Sequence, residues 1–102
     1  MDEKILWVDD DTNILRAYRR ILHKEEYTIE IANSGQAGLT LISTKGPFSV
    51  VVSDLRMPEM DGVQFLTAAR EQTPDSVRVM LTGQADLDTA IAAVNEGNIF
   101  RF

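Results

Sequence analysis

The chain predicts an α/β fold, a doubly wound sheet of five parallel strands with helices on its faces. Three observations carry this expectation. Short apolar runs alternate with amphipathic segments along all 102 residues, the pattern of a parallel sheet with right-handed crossovers. The runs at Ile5–Val8 and Phe48–Ser53 are almost continuously apolar, as in strands buried on both faces. Two runs lead straight into carboxylates: Asp9, Asp10 and Asp11 after the first, Asp54 after Val50-Val51-Val52-Ser53.

The elements follow in order. Ile5–Val8 is the first strand. Asp11 is placed to cap the next helix, its side chain accepting from early amide hydrogens. That helix sets Ile14, Leu15, Tyr18, Ile21 and Leu22 on one stripe and Arg16, Arg19, Arg20 and Lys24 on the other. Tyr27–Ile31, rich in β-branched residues, is the second strand. Ser34 opens a second helix that ends before Gly46-Pro47, and Phe48–Ser53 is the third strand. Met57-Pro58-Glu59-Met60-Asp61-Gly62 reads as loop and turn. Val63–Glu71 is a third helix with Val63, Leu66 and Ala69 inward, and Val77–Leu81 a fourth strand. Asp86 or Asp88 caps a fourth helix in which Leu87, Ile91 and Val94 share a face. Gly97 stands where a left-handed C-terminal cap belongs. Ile99–Phe102 begins a fifth strand.

The expected strand order is 2-1-3-4-5, flavodoxin-like, in one domain spanning residues 1–102. In such sheets the ligand site lies beyond the carboxyl ends of the strands, where the winding reverses. Here that is between the first and third strands, the two that end in acids. Composition narrows the function classes. Apolar residues make up 44% of the chain, so a packed core is expected rather than disorder. The absence of cysteine excludes disulfides and thiolate metal sites. The net charge of −6, with no basic cluster beyond Arg19-Arg20, argues against direct nucleic-acid binding. No apolar run reaches the length of a membrane span, and the charged start lacks a secretory core, so a cytoplasmic protein is expected.

Carboxylates crowded at one sheet edge repel unless a cation joins them. Taken alone, Asp9-Asp10-Asp11 also reads as a solvated helix start that meets the helix dipole, which accounts for Asp11. Asp54 alone also reads as a turn residue. The topology brings these strand ends together, and oxygen ligands of this kind suit Mg2+. Asp10 and Asp54 are the expected direct ligands. Asp9 would hold a water or a second position, and the backbone carbonyl of Arg56 would complete the protein's share. Thr82-Gly83 reads either as a loop before a capped helix or as a hydroxyl donor and a small neighbour beside a phosphorylated carboxylate. His23, the only histidine, and the loop residues Met57 and Met60 are read as structural.

The set Val8-Asp9-Asp10, Ser53-Asp54-Leu55-Arg56-Met57-Pro58-Glu59-Met60-Asp61-Gly62 and Leu81-Thr82-Gly83 strongly resembles the receiver domain of bacterial two-component response regulators. The resemblance covers essentially the whole chain. It implies that Asp54 is the phosphoacceptor, Asp9 and Asp10 the acidic magnesium pair, Thr82 the switch hydroxyl and Phe102 the switch aromatic. It implies a histidine kinase or phosphotransfer protein as phosphoryl donor and an output domain as the element controlled. Receivers carry a lysine and a last helix after that aromatic, and this chain stops at Phe102. The expectation is a receiver cut within its fifth strand, its uncovered sheet face available for self-association as a homo-oligomer. Leu81 to Phe102, with Gln84-Ala85-Asp86 and Asn95-Glu96-Gly97, also resembles receivers fused to HD-type cyclic-dinucleotide phosphodiesterases.

Two alternatives stand beside this reading. A phosphatase or phosphotransferase with an aspartyl nucleophile often carries a second acid two residues on, where this chain has Arg56. Self-phosphorylation and self-dephosphorylation are therefore expected, not turnover of a substrate. The other class is an interaction module with no working switch.

Overall fold

The computed structural model describes residues 4–22 and 27–81. Seven elements alternate: β1 (Lys4–Val8), α1 (Thr12–Leu22), β2 (Thr28–Ala32), α2 (Gly35–Lys45), β3 (Val50–Asp54), α3 (Gly62–Gln72) and β4 (Val77–Leu81). The four strands form one sheet in the order β2-β1-β3-β4, and every pairing is parallel. This is the predicted order as far as the described residues reach. The fourth helix, with Asp86, Asp88 and Gly97, and the fifth strand lie outside them.

The register fixes which side chains share a face. Leu6 pairs with Val51 and Val8 with Ser53, while Val51 pairs with Arg78 and Ser53 with Met80. On this face Leu6, Val8, Val51 and Met80 form one cluster with Ile42 of α2 and with Phe65, Leu66 and Ala69 of α3. Removing a side chain such as Leu66 from water contributes roughly 1.5–3 kcal/mol, so this cluster anchors the sheet. Alternate residues, including Trp7, Ile31 and Val52, point to the opposite face. There Leu15 of α1, Ile29 and Val52 are buried, Trp7 and Val79 are half-buried, and Val77 is 38% exposed.

Local chemistry accounts for the boundaries. The carboxylate of Asp11 accepts from the amides of Asn13, 2.9 Å away, and Ile14, 3.3 Å away, so it caps α1 as expected. Ser34 caps α2 by accepting from the amide of Ala37. β2 runs one residue later than predicted. Tyr27 is exposed outside it, whereas Ala32 pairs with Val8 and its carbonyl accepts from the Asp9 amide at 3.1 Å. Ile14, expected on the inward stripe of α1, is 39% exposed, because it stands one residue, about 100°, round the helix from the buried Leu15.

Arg78 is buried in β4 despite its charge. Its guanidinium donates to the carbonyl of Ser76 at 3.3 Å, which offsets part of the cost of burial. That burial, with Arg70 nearby, lowers its pKa from the ordinary arginine value.

Candidate functional site

Backbone hydrogen bonds tie the ends of β1 and β3 to their neighbours. Asp9, the first residue after β1, is held by its amide on the carbonyl of Ala32. Asp54 is the last residue of β3 and pairs with Leu81, the last described residue of β4. The next amide, that of Leu55, donates to the carbonyl of Leu81 at 3.2 Å. One carboxylate oxygen from each of Asp9, Asp10 and Asp54 lies within 4.8 Å of the others. Asp9 is buried, Asp54 is intermediate and Asp10 is exposed.

The three acids differ in how they are held. Asp9 Oδ1 accepts from the amide of Asp11 at 2.9 Å, so part of its hydrogen-bonding capacity is committed within the turn. Its pKa is raised from the ordinary aspartate value. Burial is the largest cause, the charges of Asp10 and Asp11 add to it, and the Asp11 amide works against it. A raised folded-state pKa means that the stability linked to Asp9 is fully present below the ordinary value of 3.8 and is lost as the pH climbs through the raised one. Asp9→Asn, measured without divalent cations, is therefore expected to be more stable than the parent at neutral pH, with the difference vanishing toward pH 3. Thermal melts of both proteins from pH 3 to 8 check this, and an equal gap at both ends would mean that charge is not its source.

The donor set fits Mg2+. The groups are hard carboxylate oxygens, and opposite ligands of a magnesium ion stand about 4.2 Å apart, twice the bond length of about 2.1 Å. The three oxygens lie within 4.8 Å of one another, near enough to share one such ion. The neighbouring charges of Asp10 and Asp11 add to the effect of burial in raising the Asp9 pKa, and a cation there would offset them.

The segment after Asp54 forms one wall of a cleft of about 560 Å³ lined by Leu55, Arg56, Met57, Pro58 and Asp61. Met57 is buried in the core cluster and Met60 packs against it, so both anchor this loop as expected. Glu59 takes a left-handed backbone, φ 67°, a conformation costly for a residue with a side chain.

Asp9, Asp10 and Asp54 are thus brought together, and Arg56 lies on the loop that leaves Asp54. Thr82 and Phe102 lie outside the described residues. Two residues read only as a turn do more. Asp61 caps α3 by accepting from the amide of Gln64 at 2.9 Å, while the Gln64 side chain accepts from the Asp61 amide at 3.0 Å. Gly62, the first residue of α3, donates its amide to the carbonyl of Leu55 at 2.8 Å. An acid followed three residues later by Gln is a capping-box signal, so the Asp61 role was legible. Nothing in the residue order shows the contact at Gly62.

A doubly wound parallel sheet with clustered carboxylates at the reversal of its winding suits a broad class, domains that handle phosphoryl groups at an aspartate. The comparisons make the assignment specific. Residues 5–99 match the family described as the response regulator receiver domain. The chain is similar to the hydrogenase transcriptional regulatory protein HoxA of Cupriavidus necator, 37% identical over 98 residues, which are 96% of this chain and 20% of that protein. Among solved structures it is similar to an adenylate cyclase of Rhodopirellula baltica, 44% identical with a TM-score of 0.94, over 100% of this chain and 75% of that one. It is also similar to the signal receiver domain of an HD domain-containing protein of Pseudomonas fluorescens, 33% identical with a TM-score of 0.89, over 99% and 79% of the two chains. The chain belongs to the response regulator receiver family. It spans between 20% and 52% of the length of the first curated relatives it matches. No helix among the described residues is long and apolar enough to cross a membrane.

Proposed function

We propose that Asp54 is the phosphoacceptor and that Asp9 and Asp10 join it in holding Mg2+. The observation that carries this reading is the convergence of three carboxylate oxygens within 4.8 Å at the reversal of the sheet winding. Asp10 and Asp54 are the proposed direct ligands, Asp9 holds a water or a second position, and the Arg56 carbonyl supplies the remaining protein oxygen. When bound, the cation offsets the negative charge shared by carboxylate and phosphoryl oxygens.

A carboxylate oxygen of Asp54 attacks the phosphorus of a phosphohistidine or a small acyl phosphate. The new O–P bond forms as the bond to the donor's leaving group breaks, leaving an aspartyl phosphate. Thr82, the residue after Leu81, is the proposed donor to a phosphoryl oxygen, and Phe102 the aromatic that reports the change. The added charge and acceptor oxygens bias the surface presented to an output domain. Histidine kinases or phosphotransfer proteins are the proposed donors, which places the domain in the cytoplasm. The neighbours' names make a nucleotide cyclase or an HD domain reasonable classes of output. With Arg56 where a phosphatase would carry its second acid, the chain modifies itself and does not turn over substrate.

The cation site is tested through Trp7, which stands in β1 two residues before Asp9. Mg2+ titrated to tens of millimolar, well above ordinary site affinities, is expected to change Trp7 fluorescence and raise the melting temperature. Asp10→Asn is expected to bind about tenfold or more weakly with the fold intact. No response in the parent protein would remove the metal site from the reading. Acyl phosphate with Mg2+ is then expected to add one hydroxylamine-labile phosphoryl group, and a label mapped to Thr82 would overturn the acceptor.

A further inference from the structure

We propose that Gly62 is a positioning residue for the phosphoacceptor, a bare seat at the start of α3 on which the main chain of Asp54 rests. This rests on the reading of Asp54 above. A methyl group at Gly62 would collide with the carbonyl oxygen of Asp54 and would lie 2.9 Å from Leu55 Cα and 3.1 Å from the Asp54 carbonyl carbon. All three neighbours are backbone, so no side-chain rotation relieves the overlap. The Gly62 amide donates to the carbonyl of Leu55 at 2.8 Å, and the reciprocal cap between Asp61 and Gln64 fixes the helix start beside it. On the other side the Leu55 amide is tied to Leu81. Asp54 and Leu55 are thereby clamped between β4 and α3. The clamp sets where the Asp54 carboxylate stands relative to Asp9 and Asp10, and where the Arg56 carbonyl begins its approach. Gly62 need touch neither the cation nor the phosphoryl group to do this.

Gly46 supplies a matched comparison. A methyl there would collide with the carbonyl oxygen of Ile42, at the C-terminal end of α2 and away from the acids. Gly62→Ala and Gly46→Ala are compared for melting temperature, for Mg2+ dissociation constant by Trp7 fluorescence, and for labelling rate at saturating Mg2+. Both variants should melt lower than the parent. Only Gly62→Ala is expected to bind Mg2+ and label about tenfold or more weakly and slowly, with Gly46→Ala within about twofold of the parent. Wild-type binding and labelling in Gly62→Ala, or an equal loss in Gly46→Ala, would overturn the proposal.

Should Gly62→Ala fail to fold, Asp61→Ala and Asp61→Ser decide. Both remove one negative charge from the cleft, and only serine restores the cap. Asp61→Ala should then bind and label more weakly than Asp61→Ser. Equal behaviour of the two would show that the helix start does not position the acceptor. Failure of the parent protein to bind Mg2+ or to label at Asp54 would instead reject the functional reading itself.

Discussion

Asp54→Asn is expected to take up no phosphoryl group from acyl phosphate and Mg2+, a loss of more than about a thousandfold against the parent protein. The substitution keeps the size of the side chain and its place at the end of β3. It replaces an anionic oxygen nucleophile with an amide that cannot form a stable acyl phosphate. The other carboxylates cannot take over readily. Asp9 is buried and committed to the Asp11 amide, and Asp10 lies in the turn between β1 and α1. The variant should also bind Mg2+ more weakly, because one of three converging charges is gone. Intact mass before and after hydroxylamine, with peptide mapping, reads the result. Full-yield labelling of Asp54→Asn would move the acceptor elsewhere and remove the basis of the site.

How much of this was legible depended on whether the information was local. β4 is bounded by Val77 and Leu81, as its apolar run and flanking turns indicate. Asp11 and Ser34 cap their helices because a side chain reaching its own next turn is a property of three or four consecutive residues. The carboxylate cluster was legible for a different reason. Parallel order and right-handed crossovers leave few arrangements, and the strand ends follow from them. Contacts set by the close approach of distant segments were not legible. Gly62 reads as punctuation, and its place against the Asp54 carbonyl depends on how α3 docks on β3. Arg78 broke the pattern in a similar way. A charged residue in a buried strand is unexpected until the turn carbonyls at its base are in place to receive it. Ile14 fits the apolar stripe of α1 by spacing, and its exposure follows from which side of α1 meets β2.

The largest stability effect is expected from Phe65→Ala. Phe65 is fully buried, and its ring packs so close to Gly38 that a methyl at Gly38 would lie 2.7 Å from Phe65 Cε1 and 2.9 Å from Val8 Cγ2. One ring therefore fills the space between α3, α2 and the last residue of β1, immediately before Asp9. Truncation of a buried phenylalanine costs about 3–5 kcal/mol, a large share of the 5–15 kcal/mol or so that stabilises a small domain. For a chain of this size that is a fall in melting temperature of roughly 12–40 °C. Magnesium should recover part of it, because a ligand that binds only the folded state adds about 2.7 kcal/mol at one hundred times its dissociation constant. The rescue should shrink by about 1.3 kcal/mol or more in Phe65→Ala combined with Asp10→Asn, as tenfold weaker binding requires, while the loss due to the ring remains. Melts followed by Trp7 fluorescence, with and without Mg2+, separate the two terms. A loss below about 1 kcal/mol would mean that Phe65 does not hold α3 to the sheet. A magnesium rescue undiminished by Asp10→Asn would mean that the cation stabilises the fold from some other place.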